Sequence, residues 1–126
     1  METQANKSAM EAEIQSILLP INDYLEGRPA KDTERLRRAF HPDAFIRMVV
    51  DGKLAAWTVP QYLDAVANAP VQECLPEMLS YSWDGDTASA LVQLIFPTFR
   101  FIDRFNLVKL DGKWLLMDKL SYRQPI

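Results

Sequence analysis

The sequence predicts an α+β domain, with three helices set apart from a mostly antiparallel sheet of about six strands. Three observations predict it. Apolar residues recur at helical spacing behind capping residues in the first half of the chain. Two Asp-Gly pairs, Asp51-Gly52 and Asp111-Gly112, sit between β-branched and aromatic runs. The last third alternates apolar and polar residues with a period of two.

Ser8 followed by Glu11 is a capping-box pattern, and Met10, Ile14, Ile17, Leu18, Ile21 and Leu25 follow at helical spacing until Gly27. This predicts an amphipathic first helix behind a flexible tail, residues 1–8. Pro20 lacks a backbone donor, so a kink or short break is expected near Leu19. Asp32 caps a second helix of about two turns, which buries Leu36, Ala39 and Phe40 and ends at His41-Pro42. Phe45–Val50 and Lys53–Trp57 then form a hairpin around Asp51-Gly52. Thr58 caps a third helix with Gln61 in the capping-box position, Val59, Tyr62, Leu63 and Val66 on one face, and Pro70 closing it. Strands at Leu79–Trp83 and Thr87–Phe96 meet around Asp84-Gly85-Asp86, and Pro97 ends or bulges the longer one.

The closing hairpin is the most informative segment. A two-residue Asp-Gly loop favours a type I′ turn and sets the register. Leu110 then pairs with Lys113, Leu107 with Leu116, Phe105 with Asp118, Asp103 with Leu120 and Phe101 with Tyr122. One face would carry Phe99, Phe101, Asp103, Phe105 and Leu107 with Trp114, Leu116, Asp118, Leu120 and Tyr122. Arg100, Arg104, Lys113, Lys119 and Arg123 would lie outward, a solvated basic face without stacking aromatics. Asp103 and Asp118 become diagonal neighbours on an otherwise apolar face.

At 126 residues with 48% hydrophobic content, the chain matches one domain, residues 1–126, without repeats or an interdomain linker. A net charge of -3 argues against a nucleic-acid partner held by phosphate neutralisation. One cysteine, Cys74, and one histidine, His41, offer no intramolecular disulfide and no dedicated zinc cluster, so no metal or other cofactor is expected. No apolar run has the length of a signal peptide core or a membrane span, and a cytoplasmic location is the expectation.

Several stretches carry a family resemblance: YLEG at Tyr24–Gly27, AFHPDA at Ala39–Ala44, DGKLAAWT at Asp51–Thr58, and FIDRFNLVKLDGKW at Phe101–Trp114. With the element order, they resemble the NTF2-like superfamily of cystatin-like α+β cones, in its bacterial branch labelled "putative lumazine-binding" or SnoaL-like. The resemblance implies a conical cavity between the helices and a curved sheet, and a homodimer. The label implies a pterin-like ligand. The architecture hosts isomerases, dehydratases, cyclases, epoxide hydrolases and non-catalytic binding domains. Ketosteroid-isomerase-like members place a catalytic aspartate where this chain has Ile46, Arg47 and Met48, and scytalone-dehydratase-like members use a histidine pair where this chain owns His41 alone. Neither mechanism carries over.

Three readings follow. The first is a binding protein for a small apolar or aromatic molecule, the ring-bearing candidates being Tyr24, Trp57, Tyr62, Phe101, Phe105 and Tyr122, with Met48 and Leu116 beside them. The second is a cofactor-independent isomerase, dehydratase or hydrolase. Its Asp103 and Asp118 would be driven apart in pKa by burial and mutual repulsion, and His41 or a tyrosine would assist. Against it, a buried aspartate also serves to hold a backbone amide or a Tyr or Trp donor, and His41 could simply face the last carbonyls of its helix. Arg47 is either an anion anchor in a pocket or part of a subunit contact. The third reading is a dimeric interaction module with a filled cone.

Overall fold

A computed structural model describes residues 3–126. Helix α1 spans Gln4–Ala30, α2 Thr33–Ala39 and α3 Val59–Asn68; the strands are β1 Phe40–Val50, β2 Lys53–Trp57, β3 Leu75–Asp84, β4 Thr87–Ile95, β5 Phe99–Leu110 and β6 Lys113–Pro125. They form one sheet in the order β2-β1-β6-β5-β4-β3. All neighbours are antiparallel except β1 and β6, which run parallel. The α+β class and the two Asp-Gly turns agree with the sequence reading. Asp51, Gly52, Asp111 and Gly112 all adopt the positive φ that a type I′ turn demands.

The N-caps of α2 and α3 are as read from sequence, but α2 ends at Ala39, and Phe40, His41 and Pro42 already belong to β1. Asp32 accepts from the Arg35 amide, and Thr58 and Gln61 complete a reciprocal capping box. Helix α1 departs from expectation at three points. Thr3, not Ser8, is the N-cap, so Gln4–Ser8 are helical rather than a tail, while Met1 and Glu2 lie outside the described residues. The helix also runs through Pro20 as one element, with no break at Leu19, and Pro20 is buried. Gly27 does not stop it either. A side chain at Gly27 would meet Leu36 at 3.4 Å, so the glycine serves the close approach of α2. The stop is Lys31 in the left-handed conformation, where the amides of Lys31 and Asp32 close back on the Arg28 and Gly27 carbonyls.

The helices cover one face of the sheet, and the core between them contains Ile17, Ile21, Tyr24, Leu36, Ile46, Leu63, Val66, Leu94, Phe105 and Leu116. Polar contacts pin α1 at both ends. Glu13 accepts from Trp114 Nε1 at 2.8 Å and from Lys109 at 3.1 Å. Lys31 Nζ reaches the Ala69 carbonyl at 2.5 Å, tying α1 to the end of α3.

Asp23 joins α1 to α2 through Arg35 at 2.7 Å and Arg38 at 3.2 Å. Burial works against its charge, but the guanidiniums of Arg38 and Arg35 outweigh burial and hold its pKa below the ordinary value. A depressed folded pKa stabilises above the unfolded value, and that contribution is lost as pH falls through the folded value. Asp23→Asn is therefore expected to cost about 1–2 kcal/mol at pH 7. The gap from the parent protein should close as pH drops below about 4, as followed by urea unfolding across pH.

The largest departure lies in the closing hairpin. Pairing follows the Asp111-Gly112 turn as far as Leu107–Leu116, then Asn106 pairs with Asp118, leaving Met117 as an extra residue. This is a β-bulge, in which two residues of one strand face one on its partner. Every later pair shifts by one: Phe105 with Lys119, Asp103 with Ser121, Phe101 with Arg123. Side chains alternate, so the shift exchanges the faces of β6. Lys119 and Ser121 turn inward, whereas Asp118, Leu120 and Tyr122 sit on the face away from the helices, where Leu120 and Tyr122 are exposed. The expected outward row of five cations loses Lys119, which is buried, and Arg123, whose guanidinium lies 4.1 Å from the inner Phe99 ring.

Candidate functional site

The exchange of faces on β6 builds a polar floor beneath an apolar cavity. Asp103, fully buried on β5, accepts from the Tyr24 hydroxyl of α1 and from Ser121 Oγ at 2.5 Å. Ser121 in turn accepts from Lys119 Nζ at 2.6 Å, and Lys119 stands 3.7 Å from Asp103 Oδ1 as a buried ion pair. Two hydroxyls and one ammonium thus surround one carboxylate, which offsets the cost of burying it.

Two tyrosine rings flank the ammonium. The centroid of Tyr62 lies 5.0 Å from Lys119 Nζ and that of Tyr24 5.7 Å, within cation–π range. Burial, and then the neighbouring Asp103 charge, push the Tyr24 pKa well above its ordinary value. Tyr24 therefore remains a hydrogen-bond donor through neutral pH.

Above this floor lies a cavity of about 140 Å³ between α1, α3 and the inner faces of β1, β5 and β6. Ile46, Met48, Trp57, Tyr62 and Phe101 form much of its wall, with Ala65 on the exposed side of α3. Arg28, one turn beyond Tyr24 on α1, reaches the same cavity, and no carboxylate among the described residues pairs with it. The parallel pairing of β1 with β6 sets Ile46 beside Lys119 and Met48 beside Ser121, which aligns the wall with the floor. Among the described residues the hydroxyl of Tyr62 is the one buried side-chain polar atom without a partner.

The site brings together five of the candidate lining residues, Tyr24, Met48, Trp57, Tyr62 and Phe101, with Asp103 beneath them. The rest fall elsewhere. Asp118 is not the diagonal partner of Asp103; it lies on the opposite face, 3.4 Å from the Asn106 amide nitrogen, because the bulge reverses β6. Tyr122 is exposed for the same reason. Phe105 and Leu116 precede or flank the bulge and stay inside, but as core: Phe105 packs edge-on against Tyr24 at 4.8 Å, and neither lines the cavity. His41 is the second residue of β1, half-buried, and its Nδ1 accepts from the Asp43 amide at 3.0 Å instead of facing the helix carbonyls or the cavity. Arg47 is exposed, its guanidinium 4.5 Å from the Phe45 ring, and it is also among the residues that line the cavity.

Sequence reasoning missed Lys119, Ser121 and Arg28. For the first two, hydrophobic alternation pointed the wrong way, since the unbulged register would have buried Leu120 and Tyr122 instead. Arg28 does carry a signal: it falls four residues after Tyr24 on the same helix face.

Helices on one side of a six-stranded sheet, with a polar-floored cavity between, define an NTF2-like α+β cone. Solved structures agree. An NTF2-like protein of unknown function from Shewanella baltica OS155 is 28% identical, with each chain covered over 100% of its length and a TM-score of 0.85. Another from Methylobacillus flagellatus KT is 29% identical over 90% of this chain and 93% of its own, with a TM-score of 0.80. The model of the family described as "Putative lumazine-binding" matches residues 12–122, and the chain belongs to that family. A curated relative, aldolase FrzH of a Cladobotryum species, is 23% identical over 122 residues, covering 94% of this chain and 98% of FrzH.

Proposed function

We propose that this protein binds a small, largely apolar molecule in the cavity between α1, α3 and the sheet. The observation that carries the reading is an apolar cavity of about 140 Å³ standing on a buried charged floor. A cavity of that size is close to an engineered protein void of roughly 150 Å³ that takes up benzene. The floor gives a ligand an end to recognise, and the rings of Trp57, Tyr62 and Phe101 give it a flat apolar surface. A cone filled by its own side chains fits this cavity poorly.

The test is a thermal-shift and calorimetric screen of single-ring and fused-ring aromatics, beginning with the lumazine that the family description names. A ligand that binds only the folded state raises stability by about 2.7 kcal/mol at a hundredfold excess over Kd. Ala65→Trp, on the exposed side of α3, is expected to obstruct the cavity and abolish the shift while leaving the fold intact. A screen without a single compound that separates the parent protein from Ala65→Trp would count against the reading.

An enzyme acting on a carbonyl compound is a second reading, favoured by the aldolase relative and by the donors gathered at Lys119 and Tyr62, which suit a developing oxyanion. An Asp103/Asp118 acid–base pair no longer supports it, because the two carboxylates lie on opposite faces.

We also propose that the protein is a homodimer joined through the open face of its sheet. Phe45, Val49, Leu120 and Tyr122 are all at least half exposed there, on adjacent strands β1 and β6. Light scattering at micromolar concentration should return twice the mass of the 14.4 kDa chain, and Leu120→Lys should return a single chain. A monomeric parent protein would refute the assignment.

A further inference from the structure

We infer that the ligand of this cavity is an anion, a single aromatic ring bearing a carboxylate, with the carboxylate seated between Tyr62, Lys119 and Arg28. The inference rests on the proposed cavity site and names its ligand class.

The floor is already internally balanced, which limits what a ligand must supply. Asp103 receives the Tyr24 and Ser121 hydroxyls, and Ser121 receives Lys119. Neither the carboxylate nor the serine needs a ligand atom. Tyr62 is different: its side chain is more than nine-tenths buried, and its hydroxyl has no partner. A buried O–H without an acceptor is costly, so the site calls for an acceptor atom from outside.

Charge decides what kind of acceptor. Three cationic residues line the cavity, Lys119, Arg28 and Arg47, and one carboxylate, Asp103, lies beneath it. The surplus is two positive charges, carried by Arg28 and Arg47, neither of which has a carboxylate partner among the described residues. An anionic acceptor answers both the surplus and the Tyr62 hydroxyl, whereas a neutral carbonyl answers only the hydroxyl. Size and surface set the remainder, since about 140 Å³ walled by Trp57 and Phe101 suits one ring.

Calorimetry with three probes of matched shape tests this: benzoate, benzamide and toluene. Benzoate is expected to bind at least about tenfold more tightly than benzamide. Arg28→Gln should weaken benzoate several-fold while leaving toluene unchanged. Tyr62→Phe, which deletes an unpartnered hydroxyl, should melt at or above the temperature of the parent protein and yet bind benzoate about three- to tenfold more weakly. Benzamide binding as well as benzoate, or benzoate indifferent to both substitutions, would overturn the anion while leaving the cavity site standing. If none of the three probes binds, the cavity site falls with it.

Discussion

Asp103→Leu is expected to remove about 3–5 kcal/mol of unfolding free energy, the cost of breaking a buried charge pair from one side. Asp103 is fully buried, and Lys119, 3.7 Å away, is nearly so. Removing the carboxylate strands the ammonium among two tyrosine rings and one serine, and takes the acceptor from the Tyr24 hydroxyl. Urea unfolding of the single and double variants measures the effect. Lys119→Met should cost less, because Asp103 keeps two hydroxyl donors. Adding Lys119→Met to Asp103→Leu should restore at least half of the loss, since it replaces a stranded charge with an apolar side chain. A double variant no more stable than Asp103→Leu alone would exclude the ion pair as the source of the effect.

Phe105→Ala is expected to be comparably severe, about 3–5 kcal/mol. Phe105 is 1% exposed and meets Tyr24 at 4.8 Å and Phe40 at 6.3 Å, so its ring joins α1 to the start of β1 and to the sheet. Truncation opens a void among rings that cannot collapse into it without moving Tyr24, and hence Asp103. Its effect should appear in the unfolding midpoint, whereas Phe101→Ala, at a half-buried wall position, should change ligand affinity more than stability. Equal stability losses at the two positions would contradict the division between core and wall.

What the sequence discloses depends on how locally each feature is determined. The α3 capping box needs only Thr58 and Gln61 three residues apart, and the hairpin turns need only adjacent Asp-Gly, so both were legible. Ser8 and Glu11 have the same capping pattern but were overridden, because the helix extends back to Thr3. Gly27 read as a helix stop because its packing partner, Leu36, is visible only in three dimensions.

Of the site, Tyr24, Tyr62, Trp57, Met48, Phe101 and Asp103 could be nominated from residue type and periodicity. Lys119 and Ser121 could not. The bulge at Met117 carries no glycine to announce it, and the straight ladder is the more hydrophobic alternative. The compensation for leaving Leu120 and Tyr122 outside is electrostatic and non-local: only the bulged register brings an ammonium and a hydroxyl to Asp103.

That bulge also governs how the strand can evolve. Beyond Met117, Lys119 and Ser121 lie at the floor of the cavity, while the intervening Asp118, Leu120 and Tyr122 lie on the open face. Mutations at alternate codons of one short segment therefore meet separate selective pressures, one set by the cavity and the other by the open face of the sheet. A lineage can change its cavity without changing its surface, and its surface without changing its cavity, provided the extra residue at 117 is kept.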